Sequence, residues 1–235
     1  MTADQTSALA LIPARGGSKG VPNKNLRLIG GVSLTAHAIR CARETGLFDR
    51  IVVTTDSDPI AAEAVREEAE IIRRPPELAS DTADVVNAVE HALDILASQG
   101  FSPAIVVLLE PTSPLRTPVM VNRVLKALGS ADAAFTVSPV PLRFHPAKQF
   151  TVNQSGEAAP ACPDVPPPVQ RQDLQATYIR NGAVYAFRPL LLRAHRSVLG
   201  PAPKAILLDE VLVNIDTEED LLEAERLYRQ MANRK

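Results

Sequence analysis

The sequence predicts an α/β fold with a mostly parallel central sheet, and three observations carry that prediction. Short apolar runs alternate with amphipathic segments along the chain, the arrangement that builds βαβ units. One run, Ala104–Leu109, is six consecutive apolar residues, as expected of a parallel strand buried on both faces. Helix-opening and helix-closing residues punctuate the segments between the runs, at Asp58-Pro59, Ser80–Thr82, Thr217 and Gly46.

Taken in order, Ala8–Pro13 reads as a strand and Ala14–Asn25 as the loop leaving it. Val32–Glu44 has Leu34, Ala38, Ile39 and Ala42 on one helical face, with Gly46 closing the helix. Arg50–Thr55 is β-branched and reads as a strand; Asp58 and Pro59 then form an N-cap and N1 pair. A short strand follows at Glu70–Ile72, and the side chains of Ser80–Thr82 are placed to cap a long helix ending near Ser98. Beyond Ala104–Leu109 come a helix over Pro118–Leu128 and a strand over Ala133–Val137. Between Pro139 and Pro168 fall 8 of the 20 prolines, so this stretch can be neither a central strand nor a helix interior. It predicts an excursion from the sheet, an arm or lid, whose Phe144, Phe150 and Val152 call for something to pack against. Val211–Ile215 reads as a strand, and Thr217 with Asp220 opens the last helix in a capping-box pattern.

Length and composition set limits on function. The 235 residues suit one domain, 1–235, with room for a small insertion. A net charge of −2 without any lysine-arginine run argues against a nucleic-acid partner. No apolar stretch approaches the roughly 20 residues that span a bilayer, and no signal-peptide pattern opens the chain, so the expectation is a cytoplasmic protein without a membrane partner. Cys41 and Cys162 lack the spacing of a zinc site or a disulfide framework. The four histidines are scattered and support no Ser/His/Asp arrangement.

Four segments carry chemistry. Ala14-Arg15-Gly16-Gly17-Ser18-Lys19-Gly20-Val21-Pro22-Asn23-Lys24-Asn25 puts three glycines and three cations directly after a strand. Glycine permits positive φ and close approach to a ligand, and cations beside backbone N–H groups make an anion nest. Its spacing fits neither the Walker A loop nor the dinucleotide fingerprint. Asp56-Ser57-Asp58 ends a strand, where it serves either as a cap or as a ligand contact. Glu110-Pro111-Thr112-Ser113-Pro114-Leu115-Arg116 is a proline-stiffened polar loop after the most apolar strand. Asn214-Ile215-Asp216 places two oxygen-bearing side chains on one side of an extended segment, a set suited to Mg²⁺.

Five segments in sequence order resemble the acylneuraminate cytidylyltransferases, the CMP-sialic acid synthetases. They are Ile12–Gly20, Arg74–Thr82 (RPPELASDT), Pro111–Arg116 (PTSPLR), Arg171–Leu174 (RQDL) and Asn181–Tyr185 (NGAVY), and the resemblance covers about Ala8 to Tyr228. It implies a Rossmann-like nucleotidyltransferase fold and a homodimer joined by a protruding dimerisation arm at about 139–175. It also implies Mg²⁺-dependent transfer of CMP from CTP to an acidic sugar. By this resemblance Arg15, Lys19, Lys24 and Asp216 carry catalysis. Ala14, Arg15, Gly16, Gly17, Ser18, Asn25, Arg74, Ala79, Ser80 and Asp81 hold the nucleotide. Glu110, Thr112, Ser113, Arg116, Lys148, Arg171, Gln172 and Tyr185 face the acceptor or pyrophosphate, and Asp216 with Asn214 holds the metal.

The chain departs from the family pattern twice. Glu110 stands where the family has Gln, and Asn214-Ile215-Asp216 stands where it has a paired Asp-x-Asp. Glu110 therefore either compensates at the metal or meets a different acceptor, for example one bearing an amino group. Two other readings stay open on the sequence: transfer of another nucleotide, such as guanylyl, or a non-catalytic nucleotide-sugar sensor.

Overall fold

β1 (Ala8–Pro13) runs through the centre of a seven-stranded sheet in the computed structural model, which describes residues 7–80, 83–165 and 174–233. Leu9, Ala10, Leu11 and Ile12 are completely buried because the strand is covered on both faces. The strand's period of two divides them. Ala10 and Ile12 join a core with α1 (Leu34–Thr45), α2 (Asp58–Arg66) and α4 (Pro118–Leu128), while Leu9 and Leu11 join another with α3 (Val85–Ser98) and α5 (Pro189–His195). Each large aliphatic side chain so buried contributes about 1.5–3 kcal/mol.

The other sheet strands are β4 (Arg50–Thr55), β5 (Glu70–Arg73), β6 (Ile105–Leu108), β7 (Ala133–Pro139), β10 (Tyr178–Phe187) and β11 (Lys204–Leu207). Their spatial order is β11-β7-β10-β6-β1-β4-β5. From β1 the chain first builds outward through β4 and β5, then returns to place β6 on the opposite side of β1. That reversal opens a crevice at the carboxyl ends of β1 and β6, where doubly wound sheets bind ligands. Only β10 runs against its neighbours, so the sheet is mostly parallel, as the sequence predicts.

The remaining elements are small or peripheral. β2 (Leu28–Ile29) and β3 (Val32–Ser33) form a hairpin against α6 (Glu218–Ala232). β8 (Phe150–Val152) and β9 (Ala158–Pro160) pair as a second hairpin outside the sheet, within the proline-rich excursion. Phe144, Phe150 and Val152, expected to pack against something, are 54%, 60% and 67% exposed within this chain.

Helix ends follow the sequence in part. Gly46 closes α1 at φ 65°, and Thr217 with Asp220 forms the full capping box of α6. Ser33 caps α1, accepting from Ala36 N at 3.1 Å, so Val32 belongs to β3 rather than to the helix. Asp58 is not a cap: it lies inside α2 after Ser57, and its carboxylate pairs with Arg73 at 2.7 Å. The cap of α3 is Asp84, which accepts from Val86 N at 2.9 Å, in place of the Ser80–Thr82 group.

Two sheet assignments also change. Val211–Ile215 belongs to no sheet, and β11 takes the edge beside β7. Ile215 N instead donates to Thr112 O at 2.9 Å, pinning this segment over the loop that leaves β6. Tyr178–Phe187 is a strand whose period is broken by a bulge between Arg180 and Tyr185, with Gly182 at φ 72°. The backbone groups freed by that bulge are met by side chains. Ala183 O accepts from Arg116 Nε at 2.6 Å, Val184 N donates to Thr136 Oγ1 at 3.1 Å, and Ala183 N donates to Asn181 Oδ1 at 3.2 Å. A buried bulge requires such partners, since an unmet buried peptide group costs about 1–3 kcal/mol.

Candidate active site

The crevice between the β1 and β6 loops holds a cavity of about 310 Å³. Arg15, Lys24 and Arg74 bring three positive charges to it, Asp84, Glu110 and Asp216 bring three negative ones, and Asn25, Ser80, Thr112 and Asn214 complete much of the polar wall. The sequence places these ten residues in four separate segments, and the fold gathers them.

The first loop is held open by its own bonds. Ala14 N continues the ladder to Thr54 O at 3.0 Å, and Gly16 N donates to Asp56 Oδ1 at 2.8 Å. The Arg15 guanidinium reaches Ser80 O at 2.8 Å, and Asn25 Nδ2 reaches back to Arg15 O at 2.8 Å. Asn23 takes the left-handed conformation, φ 51°, turning the chain into a short 3₁₀ turn over Lys24–Leu26. None of Gly16, Gly17 and Gly20 has positive φ, so close approach rather than unusual dihedrals explains the crowded ones. A Cβ on Gly16 would lie 2.9 Å from Ser57 Cβ, and one on Gly20 would lie 2.2 Å from Asp216 O. Gly17 has open space, and Gly17 and Lys19 are exposed where the loop turns outward.

Lys24 is the hinge between the two ends of the chain. Its Nζ donates to Ile215 O and to Asp216 Oδ1, both at 2.9 Å. Asn214 Nδ2 approaches Asp216 Oδ2 at 3.3 Å, so the two side chains share one side as the alternation predicts. Arg74 is buried, donating to Thr54 O at 2.8 Å, and its pKa is lowered by burial despite the nearby Asp56 charge.

Glu110 forms the opposite wall. Burial pushes its carboxyl pKa up; Arg116, Arg180 and Lys24 pull it down and Asp216 adds to the rise. Tyr185 is buried beside it, its ring stacked on Phe135 at 6.3 Å, and its phenol is pushed up by burial and by the Glu110 charge.

Several expected contacts face elsewhere. Arg116 is buried and points into backbone: to Ala183 O, to Glu110 O and, at 3.4 Å, to Ser113 O. Its guanidinium clamps the 110–116 loop to the β10 bulge and does not line this cleft. Ser113 is likewise buried, turned toward Asn181 O at 3.4 Å. Lys148 is exposed on the proline-rich arm, and Ala79 and Ser18 are partly exposed and do not line the cleft. Asp81, Arg171 and Gln172 lie outside the described residues. The sequence missed Arg180, whose charge reaches both Glu110 and Tyr185; its only signal was its place immediately before the Asn181–Tyr185 run. Asp56, read as cap or ligand contact, braces the glycine loop.

Among known proteins, the family model described as cytidylyltransferase matches residues 9–231. The CMP-N,N'-diacetyllegionaminic acid synthase of Legionella pneumophila is 32% identical, over 93% of this chain and 95% of that protein. An N-acylneuraminate cytidylyltransferase of Streptococcus agalactiae is 30% identical over 91% of this chain, which spans only 51% of that longer protein. The solved structure of CMP:2-keto-3-deoxy-manno-octonic acid synthetase complexed with CTP has a TM-score of 0.72 at 17% identity, covering 96% of this chain and 99% of that one; the likeness is one of fold. By the family match and the extent of the Legionella similarity, the chain belongs to the cytidylyltransferase family.

Proposed function

We propose that this protein transfers CMP from CTP to a sialic-acid-like, nonulosonic sugar acid and releases pyrophosphate. The observation that carries the proposal is the convergence of Arg15, Lys24 and Arg74 on one cleft at the strand-order reversal, together with Glu110 and Asp216. The names of the relatives, which include a pseudaminic acid cytidylyltransferase of Campylobacter jejuni at 29% identity over 94% of this chain and 96% of that one, support the acceptor class.

In this mechanism the acceptor hydroxyl attacks the α-phosphorus in line. The new oxygen–phosphorus bond forms as the bond to the bridging oxygen of the β-phosphate breaks, and pyrophosphate leaves with that electron pair while the hydroxyl proton passes to solvent. Such chemistry is mostly positioning and charge neutralisation. Arg15 and Lys24, with Lys19 from the loop's outer turn, hold the triphosphate, and Arg74 with the Ala79–Ser80 backbone borders the nucleoside.

Among the described residues no group of three or more His, Cys, Asp or Glu side chains forms a metal cage. Mg²⁺ does not need one, because it uses one or two protein oxygens and completes its shell with phosphate and water. Asp216, whose side chain is 67% exposed, and Asn214 fit that half-site. When bound, Mg²⁺ neutralises phosphate charge. A phosphate near Lys24 would compete with Asp216 for the ammonium and so release the carboxylate toward the cation.

The apolar side chains left exposed on the arm (Phe144, Phe150, Val152), with Tyr178 and Ile179, support a homodimer built through that arm, since such patches mark interaction surfaces. Among the described residues no helix is long and apolar enough to cross a membrane.

Pyrophosphate release is the decisive measurement, made with each of the four NTPs, Mg²⁺ and a panel of nonulosonic acids. Turnover is expected with CTP; preference for GTP, or none with any NTP, would overturn the proposal. Lys19→Ala should weaken CTP binding at least about tenfold, as loss of a charge-assisted phosphate contact does.

A further inference from the structure

The Glu110 carboxylate is an unusual thing to leave in a site built for anions. CTP, pyrophosphate and the acid group of the acceptor all carry negative charge, and Glu110 repels each of them. Yet it is fixed in place: Pro111 follows it, and the buried Arg116 holds its own carbonyl. Ser113 N closes the turn onto the same carbonyl at 3.3 Å. Only one more residue of the loop, Thr112, joins Glu110 and Pro111 in lining the cavity.

Among the described residues nothing donates a hydrogen bond to this carboxylate. Arg116, Arg180 and Lys24 act on it only through their charge. Arg116 directs its Nε and one Nη to carbonyls, and Lys24 bonds Ile215 O and Asp216. A carboxylate is acceptor-only when ionised, and one that lines the cleft without a protein donor leaves its oxygens open to a ligand. A cationic nitrogen on that ligand supplies both the hydrogen and the opposite charge.

We propose that Glu110 is the specificity-determining residue of the acceptor subsite, selecting a sugar acid that carries a free, positively charged amino substituent over its neutral N-acylated counterpart. The inference rests on the sugar-acid reading above and sharpens it. It also orients the acceptor. The amino-bearing flank faces Glu110, and the acid group lies away from it.

The test uses a matched pair of nonulosonic acids that differ only in having one nitrogen free or acetylated. Pyrophosphate release is measured with saturating CTP for wild type, Glu110→Gln and Glu110→Asp, after circular dichroism has verified that each is folded. Wild type is expected to favour the free amine by about tenfold or more in kcat/KM, mostly through the acceptor's KM, as a hydrogen bond between charged groups would give. Glu110→Gln should level or reverse the ratio, and Glu110→Asp, which keeps the charge, should preserve its direction. Turnover of both acids with the same ratio in wild type and Glu110→Gln would overturn this inference alone. Identical behaviour of the Asp and Gln variants would overturn it too, by removing charge as the determinant. No turnover of any sugar acid by any of the three enzymes would overturn the acceptor class and this inference with it.

Discussion

Replacing Arg116 with Met separates a clamp from a substrate contact. Methionine nearly matches the length of arginine but donates nothing, so Ala183 O, now 2.6 Å from Arg116 Nε, loses its partner, and Glu110 O keeps only the Ser113 N bond at 3.3 Å. The weaker contact to Ser113 O at 3.4 Å is lost as well. One buried carbonyl left unmet costs about 1–3 kcal/mol and a second is weakened, partly offset because a guanidinium no longer has to be desolvated. That desolvation is substantial here: burial lowers the Arg116 pKa, and its Nη1 has no hydrogen-bond partner. The net expectation is a loss of about 1–3 kcal/mol. For a chain of this size that is a fall in Tm of about 3–10 °C. Urea unfolding followed by circular dichroism should show a lower midpoint with an unchanged slope. Arg116→Lys should fall with it, since one ammonium cannot reproduce the planar fork that serves both carbonyls. A Met variant within about 0.5 kcal/mol of wild type would refute the clamp. So would full recovery of stability in the Lys variant.

Two other outcomes follow from the same cleft. Burial raises the Glu110 pKa against the opposing pull of Arg116, Arg180 and Lys24, so its ionised form costs stability as pH rises through the folded pKa, and that cost is absent below the ordinary carboxylate range of about 4. Glu110→Gln should therefore raise Tm near pH 7 by roughly 2–4 °C, for about 1 kcal/mol, with the gain vanishing toward pH 4; a lower Tm at pH 7 would show that the cations outweigh burial. Gly20→Ala puts a Cβ 2.2 Å from the Asp216 carbonyl, whereas Gly17→Ala meets nothing within 4 Å. The first should lower thermal stability by about 1–3 kcal/mol and the second should leave it unchanged; equal stability of the two variants would mean that the loop simply relaxes.

The sheet was legible in the sequence wherever strands were fully buried and parallel. Ala8–Pro13 and Arg50–Thr55 match their strands, because covering both faces demands continuous apolar or β-branched residues. β10 was not legible, because Asn181 and Gly182 break its pattern and the compensation comes from Thr136 and Arg116, far away in sequence. Val211–Ile215 misled for the opposite reason: its alternation is real, but it serves a segment anchored by one backbone bond to Thr112 rather than a sheet strand. In the site, charged residues beside strand ends announced themselves, and Arg15, Lys24, Glu110 and Asp216 do meet. What composition cannot reveal is the direction of a long side chain. Arg116 stands in a polar loop like a ligand contact, yet three carbonyls made available by the bulge and the turn draw it inward.

The bond from Lys24 to Asp216 spans 192 positions of sequence, and it is one of a seam. Arg27 pairs with Glu218, Gly30 N donates to Glu225 at 2.7 Å, and the His37 ring meets Tyr228 edge-on at 5.4 Å. The glycine loop is synthesised well before the partners that shape it, which lie 192 positions further on for Asp216. Contacts between such distant positions form late, after the loop entropy between them has been overcome. A nascent chain thus exposes its glycine loop long before that loop has its final form, and on the proposed function CTP, which favours the finished site, would act as a ligand that pulls the last step of folding to completion.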